Sequence, residues 1–108
     1  MLNQVVLVGR LVRDVKPNKG KTSMVATATL AIPRSYKNAE GTYDTDFIDC
    51  LIFDKVAENT ATYCKKGDIL GIKGRLESKV EEIETKKITM VDVIAEKVTF
   101  LSSKKPDE

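Results

Sequence analysis

The sequence predicts an all-β protein, a small five-stranded Greek-key barrel with one short α-helix between its third and fourth strands. Three observations point there. Apolar residues alternate with polar ones along most of the chain, the period of a half-buried strand. A single segment, Asp54–Gly67, has helical spacing and helical punctuation. That helix sits inside Asp46–Gly74, DFIDCLIFDKVAENTATYCKKGDILGIKG, between two strand-like runs in an otherwise strand-only chain.

In chain order, Asn3–Leu11 is the first strand. Val5, Leu7 and Leu11 face one way, and Val6 and Val8 face the other before Arg10. A strand apolar on both faces needs two hydrophobic surroundings. The lumen of a barrel this small supplies one, and a second copy of the chain is the simplest supply of the other. Val12–Lys21 carries Pro17, Asn18 and Gly20 among its basic residues and is expected to be an exposed loop. Thr22–Tyr36 is a long strand, with Ala26, Ala28, Leu30 and Ile32 inward and Val25, Thr27, Thr29 and Ala31 forming a small, flat outer face. Pro33 cannot donate to a ladder, so pairing is expected to change there. Lys37–Thr45 is a hairpin loop centred on Gly41.

In DFIDCLIF, Ile48, Cys50 and Ile52 form a purely apolar face, and Phe47, Asp49, Leu51 and Phe53 the opposite one. Two rings beside a charge need a partner or a ligand to cover them. Asp54 is the expected N-cap of the helix. Val56, Thr60, Tyr63 and Cys64 form its packed side, and Lys65-Lys66-Gly67 is a basic last turn with a glycine stop. The next strand points Leu70, Ile72 and Leu76 inward and Lys73 and Arg75 outward. A second hairpin follows, turning near Thr85-Lys86-Lys87 and returning from Ile88 to Phe100. Tyr63 and Phe100 are assigned to packing. Residues 1–101 thus form one domain, and 102–108 a polar tail.

Composition narrows the function. The 108 residues are 42% hydrophobic and 31% charged, an ordinary globular balance. No apolar run approaches the roughly 20 residues that span a bilayer. The start, MLNQVVLVGRL, lacks a basic leader and a small-residue cleavage site and reads as that of a cytoplasmic protein. Histidine is absent, which removes the commonest general base and the commonest zinc ligand, so no catalysis is expected. Cys50 and Cys64 read as reduced, packed thiols. Asp44, Asp46 and Asp49 offer too few oxygens for a hard cation, so no metal or cofactor is expected. The net charge of +2 conceals segments of +6 (residues 1–37), −5 (38–54), +3 (55–79) and −2 (80–108). Two basic segments separated by acidic ones suit a polyanion groove on one side of a globule.

Rings interleave with cations in the same places. Tyr36 lies beside Arg34 and Lys37, Phe47 and Phe53 precede Lys55, and Lys73, Arg75 and Lys79 follow. An exposed ring stacks on any unpaired base, worth about 1–3 kcal/mol each. Cations meet the intervening phosphates without reading sequence. A duplex hides its base faces, so such a surface favours single-stranded nucleic acid.

As a whole the chain resembles the bacterial single-stranded DNA-binding protein family, through NQVVLVGRL, VATATLAIPRSY, DFIDCLIFDK, AENTATYCKKG, and GRL with AEKVTFL, in that order and spacing over about residues 1–101. The resemblance implies an OB-fold acting as a homotetramer that binds single-stranded DNA in the nucleoid, in replication, recombination or repair. It places Tyr36, Phe47 and Phe53 at the base-stacking positions and Lys37, Lys55, Lys66 and Lys79 at the phosphate-contacting ones. It makes the first strand, with Val6, Val8 and Arg10, the subunit-pairing strand.

The sequence also departs from the family pattern. Where a further stacking ring is usual in the 75–90 hairpin, Glu81 stands among Glu77, Glu82 and Glu84. Asp49 and Asp54 replace basic or neutral residues, and Tyr and Phe replace tryptophans. Weaker binding or a shorter footprint is therefore expected. The chain closes on Lys104-Lys105-Pro106-Asp107-Glu108 without the acidic, Phe-terminated tip that recruits replication and repair enzymes, so those partners are not carried over. The competing readings are an OB-fold RNA-binding module, a metal-dependent nuclease using Asp44, Asp46 and Asp49, and an assembly module whose outer rings are all interface.

Overall fold

The computed structural model describes residues 1–20 and 22–103; the expected tail at 104–108 lies outside the described residues. Its strands are β1 (Val5–Leu11), β2 (Asn18–Lys19), β3 (Met24–Lys37), β4 (Tyr43–Phe53), β5 (Ile69–Ile83) and β6 (Lys86–Ser102), with helix α1 (Asp54–Tyr63) between β4 and β5. The expected helix position, between the third and fourth strands, shifts by one only because the two-residue β2, paired through Asn18 to Val25, adds a strand inside the Val12–Lys21 loop. The five long strands close into a barrel in the order β1-β5-β6-β4-β3, with β3 returning to β1.

Three antiparallel ladders are long: β1–β5, β3–β4 and β5–β6. Two contacts close the ring. The first is Arg10 and Leu11 of β1 with Ala31 and Leu30 of β3. The second is a parallel contact of Cys50 and Leu51 in β4 with Val93 and Ile94 in β6. Inside lie Leu11, Leu30, Cys50, Ile52, Leu70 and Ile72, all essentially without solvent contact, as their alternation predicts. Helix α1 packs on β3, β4 and β6 and buries Ala57 and Thr60.

Several local expectations change. β3 and β4 extend to Lys37 and Tyr43, leaving only Asn38–Thr42 as a loop. The Asn38 side chain accepts hydrogen bonds from the Glu40 and Thr42 amides, and Gly41 adopts the φ of +82° that glycine tolerates. The second hairpin turns at Glu84-Thr85, just before the expected place. Asp54 does not cap the helix; Phe53 holds the N-cap position, and Asp54 Oδ1 instead accepts from the Met24 amide at 3.0 Å. The helix stops at Tyr63, so Lys65 and Lys66 lie beyond its last turn. Gly67 donates to the Leu11 carbonyl instead of capping the helix, and Asp68 turns the chain back by accepting from Lys65.

Tyr63 and Phe100, expected in packing, are exposed at the mouth of an open groove between α1 and β6 that Cys64 and Val98 also line. Leu76 keeps its inward register but is also exposed, because the β5–β6 hairpin continues past the end of the barrel. Asn3, expected in the first strand, extends its ladder by side chain alone. Its amide donates to the Leu76 carbonyl at 2.7 Å and accepts from the Leu76 amide at 2.9 Å.

The loop before β2 is not free either. Val12 donates its amide to Thr29, Val15 is buried in the core, and Asp14 accepts from the Lys66 amide. The segment expected to be an exposed loop is therefore fastened at three points.

Candidate nucleic-acid interface

The face of interest is the outer side of β3 and β4. Period-two geometry lines up Tyr43, Thr45, Phe47, Asp49, Leu51 and Phe53 along β4, with successive members about 7 Å apart. Opposite them on β3 stand Ala31, Thr29, Thr27 and Val25, paired with Phe47, Asp49, Leu51 and Phe53 respectively. These small partners leave the rings uncovered. Phe47 is 67% exposed, Phe53 38% and Tyr36, at the outer end of β3, 63%. Leu51 abuts Ile94 of β6, and Ile94 pairs with Arg75 of β5, so the same surface continues onto the long hairpin.

The cations predicted to serve this surface fall into two sets. Three are held by carboxylates. The Arg34 guanidinium grips Asp46 through Nε and Nη2, the latter at 2.8 Å, with Asp44 at 3.7 Å. That pair holds the Asp46 carboxyl below its ordinary range and pushes Arg34 further up. Arg75 bonds Glu77 and, at 3.4 Å, Glu96. Lys79 lies 3.4 Å from both Glu81 and Asp92, which raise its ammonium. Among the described residues, Lys37, Lys55, Lys66 and Lys73 have no carboxylate within 4.0 Å. Lys55 follows Phe53 in the first turn of α1.

Lys73, two residues before Arg75 on β5, is the cross-strand partner of Val6 in β1 and of Lys97 in β6. On β1, Val6 and Val8 are exposed, and Arg10, which pairs with Ala31 of β3, donates to the Gly67 carbonyl at 2.6 Å.

The three acidic residues of the competing metal-site reading have other partners: Asp44 and Asp46 pair with Arg34, and Asp49 accepts from the Thr29 hydroxyl at 2.6 Å. Both cysteines are buried and reduced, and burial pushes the Cys50 thiol up to about 11.

Sequence reasoning missed two residues on this face. Tyr43 is exposed at the start of β4 with the Lys37 ammonium 5.9 Å from its ring centre; its parity with Phe47 was the available signal. Arg13, within the supposed loop, reaches the Thr29 hydroxyl, and no local signal announced it.

Comparison with known proteins finds one family model, the single-strand binding protein family, matching residues 2–101. Single-stranded DNA-binding protein B of Bacillus subtilis is 43% identical, covering 96% of this chain and 94% of its own. Single-stranded DNA-binding protein 3 of Listeria innocua is 42% identical, and protein 1 of Staphylococcus aureus 41%. The match covers 96% of this chain in each case, but only 66% and 64% of theirs. Among solved structures, a Plasmodium falciparum SSB complex with ssDNA superposes with a TM-score of 0.80 over 94% of this chain and 96% of its own, at 20% identity. That likeness is one of fold.

Proposed function

The chain belongs to the single-strand binding protein family, a family of binding proteins and not of enzymes, and from that premise we propose that it coats single-stranded DNA without sequence preference. The supporting observation is the row of uncovered rings over small β3 residues. Phe47, Phe53 and Tyr36 hold bases by stacking. Lys37, Lys55 and Lys66, the family-position cations without a carboxylate partner among the described residues, meet phosphates. Arg34, Arg75 and Lys79 contribute less than their number suggests, because each already faces carboxylates.

The chain assembles as a homotetramer through the outer face of β1, where Val6 and Val8 are exposed, and Lys73, the cross-strand partner of Val6, carries the DNA strand between that contact and Arg75. Its place is the cytoplasm, on exposed strands of the nucleoid during replication, recombination or repair. Linked subunits raise the effective concentration of each site for the next stretch of strand.

The test is competition for a labelled dT oligomer by unlabelled dT, rU and duplex, with native mass spectrometry reading the stoichiometry. Strong competition by dT, weak competition by duplex and four subunits per complex are expected. Stronger competition by rU would favour the RNA-binding alternative.

A further inference from the structure

Asp49 is the residue the DNA reading does not absorb. It lies in the ring row between Phe47 and Phe53, where a carboxylate should repel the phosphates the face is meant to hold. Its side chain does not simply face solvent. The Thr29 hydroxyl donates to Asp49 Oδ1 at 2.6 Å, and Thr29 Oγ1 accepts in turn from Arg13 Nη1 at 2.8 Å. Thr29 is only 4% exposed, so the hydroxyl that joins the two exposed charged groups is itself shielded by the sheet. A hydrogen bond in which one partner is ionised is roughly twice as strong as a neutral one, and here the carboxylate polarises the hydroxyl toward Arg13.

Arg13 is also delivered to this place by its backbone. The preceding Val12 donates to the Thr29 carbonyl at 3.0 Å, Asp14 binds the Lys66 amide at 2.7 Å, and Val15 anchors the segment in the core. Beside it, Asp14, whose Oδ1 accepts from the Lys66 amide, together with Lys16, Asn18 and Thr27, completes an open depression.

We propose that Arg13 is a phosphate contact at the centre of the ring row, and that Asp49, acting through the Thr29 hydroxyl, is the positioning residue that holds it there. This rests on the single-stranded DNA reading. The carboxylate's repulsion of the strand is offset by a guanidinium that it orients, so the two charges act as a unit.

A double-mutant cycle on the full chain tests it, using Arg13→Gln, Asp49→Ala and the double variant, each titrated with a labelled dT oligomer across a range of NaCl concentrations. Arg13→Gln is expected to flatten the salt slope by about 0.7, which is about a fivefold loss of affinity at 0.1 M relative to 1 M salt. Asp49→Ala is expected not to tighten binding in the parent but to tighten it in the Arg13→Gln background. Only the second case removes repulsion without cost.

An unchanged slope in Arg13→Gln, or equal tightening by Asp49→Ala in both backgrounds, overturns the proposal. Should Asp49→Ala fail to fold, Thr29→Val, which removes the hydroxyl at constant shape, reads the same link. It should weaken binding in the parent and change nothing in Arg13→Gln, and equal effects in both overturn the proposal. If the parent itself fails to bind dT, the DNA reading has failed instead, and the two failures are distinct.

Discussion

Replacing Phe47 by alanine separates binding from folding more cleanly than any other change on this face. The ring is two-thirds exposed and stands opposite the small Ala31 across the ladder. Full burial of such a side chain stabilises by about 1.5–3 kcal/mol, so the third that is covered accounts for about 0.5–1 kcal/mol of fold stability. Loss of one base stack costs about 1–3 kcal/mol of binding, or roughly 5- to 150-fold in Kd.

The assay follows from composition. With three tyrosines and no tryptophan, intrinsic emission reports tyrosine alone, and Tyr36 and Tyr43 both stand at the outer end of the β3–β4 ladder. Titration with a dT oligomer short enough for one subunit gives Kd, and a thermal melt of the same samples gives stability. The salt slope should not move, since the ring carries no charge. A Kd within twofold of the parent, with an unchanged melt, would refute the role of Phe47 and leave its exposure to be explained by a subunit contact.

Three more expectations follow from the geometry. Glu81→Gln with Asp92→Asn releases Lys79 from both carboxylates; binding should tighten and the salt slope steepen by about 0.7, and an unchanged slope would place the hairpin off the DNA path. In Gly74→Ala the new methyl would run into the Ile94 carbonyl, 2.9 Å from its carbon and 3.1 Å from Ala95 Cα. Overpacking of this kind costs about 1–3 kcal/mol, or about 5–20 °C in a melt, whereas an unaltered Tm would mean the bulge there yields freely. Cys50 should resist thiol reagents in the native protein until the pH nears 11 and react readily once unfolded, because burial keeps it protonated; brisk native labelling at pH 8 contradicts its position.

The inward face was legible because it depends only on the period of two. Ile48, Cys50, Ile52, Leu70 and Ile72 announce themselves in the sequence, and the closed order of strands follows from one helix placed among them. What depends on register was not legible. Lys73 looks equivalent to Arg75 along the chain, yet an irregularity between Lys73 and Gly74, where Glu96 has no partner in β5, sets them beside different neighbours. Arg34 and Asp46 lie twelve residues apart, and only the β3–β4 ladder brings them together. Asp54 has the residue type of a helix cap, but a long-range bond to Met24 uses its carboxylate instead. Local chemistry can propose such roles, but tertiary contacts decide among the groups that compete for them.

The barrel's closure has a consequence for how it breathes. Among the described residues, two well-laddered pieces, the β3–β4 hairpin and the β1–β5–β6 unit, are joined by ladders of two residue pairs on each side, with the Val12 amide bond to Thr29 beside one of them. Amide exchange should therefore begin at Leu51 and Ile94 on one side and at Arg10 and Leu30 on the other, as the pieces part like a clasp. A ligand lying across Leu51 and Ile94 would hold one side of the clasp shut, so occupancy would be written first in the protection of those few amides.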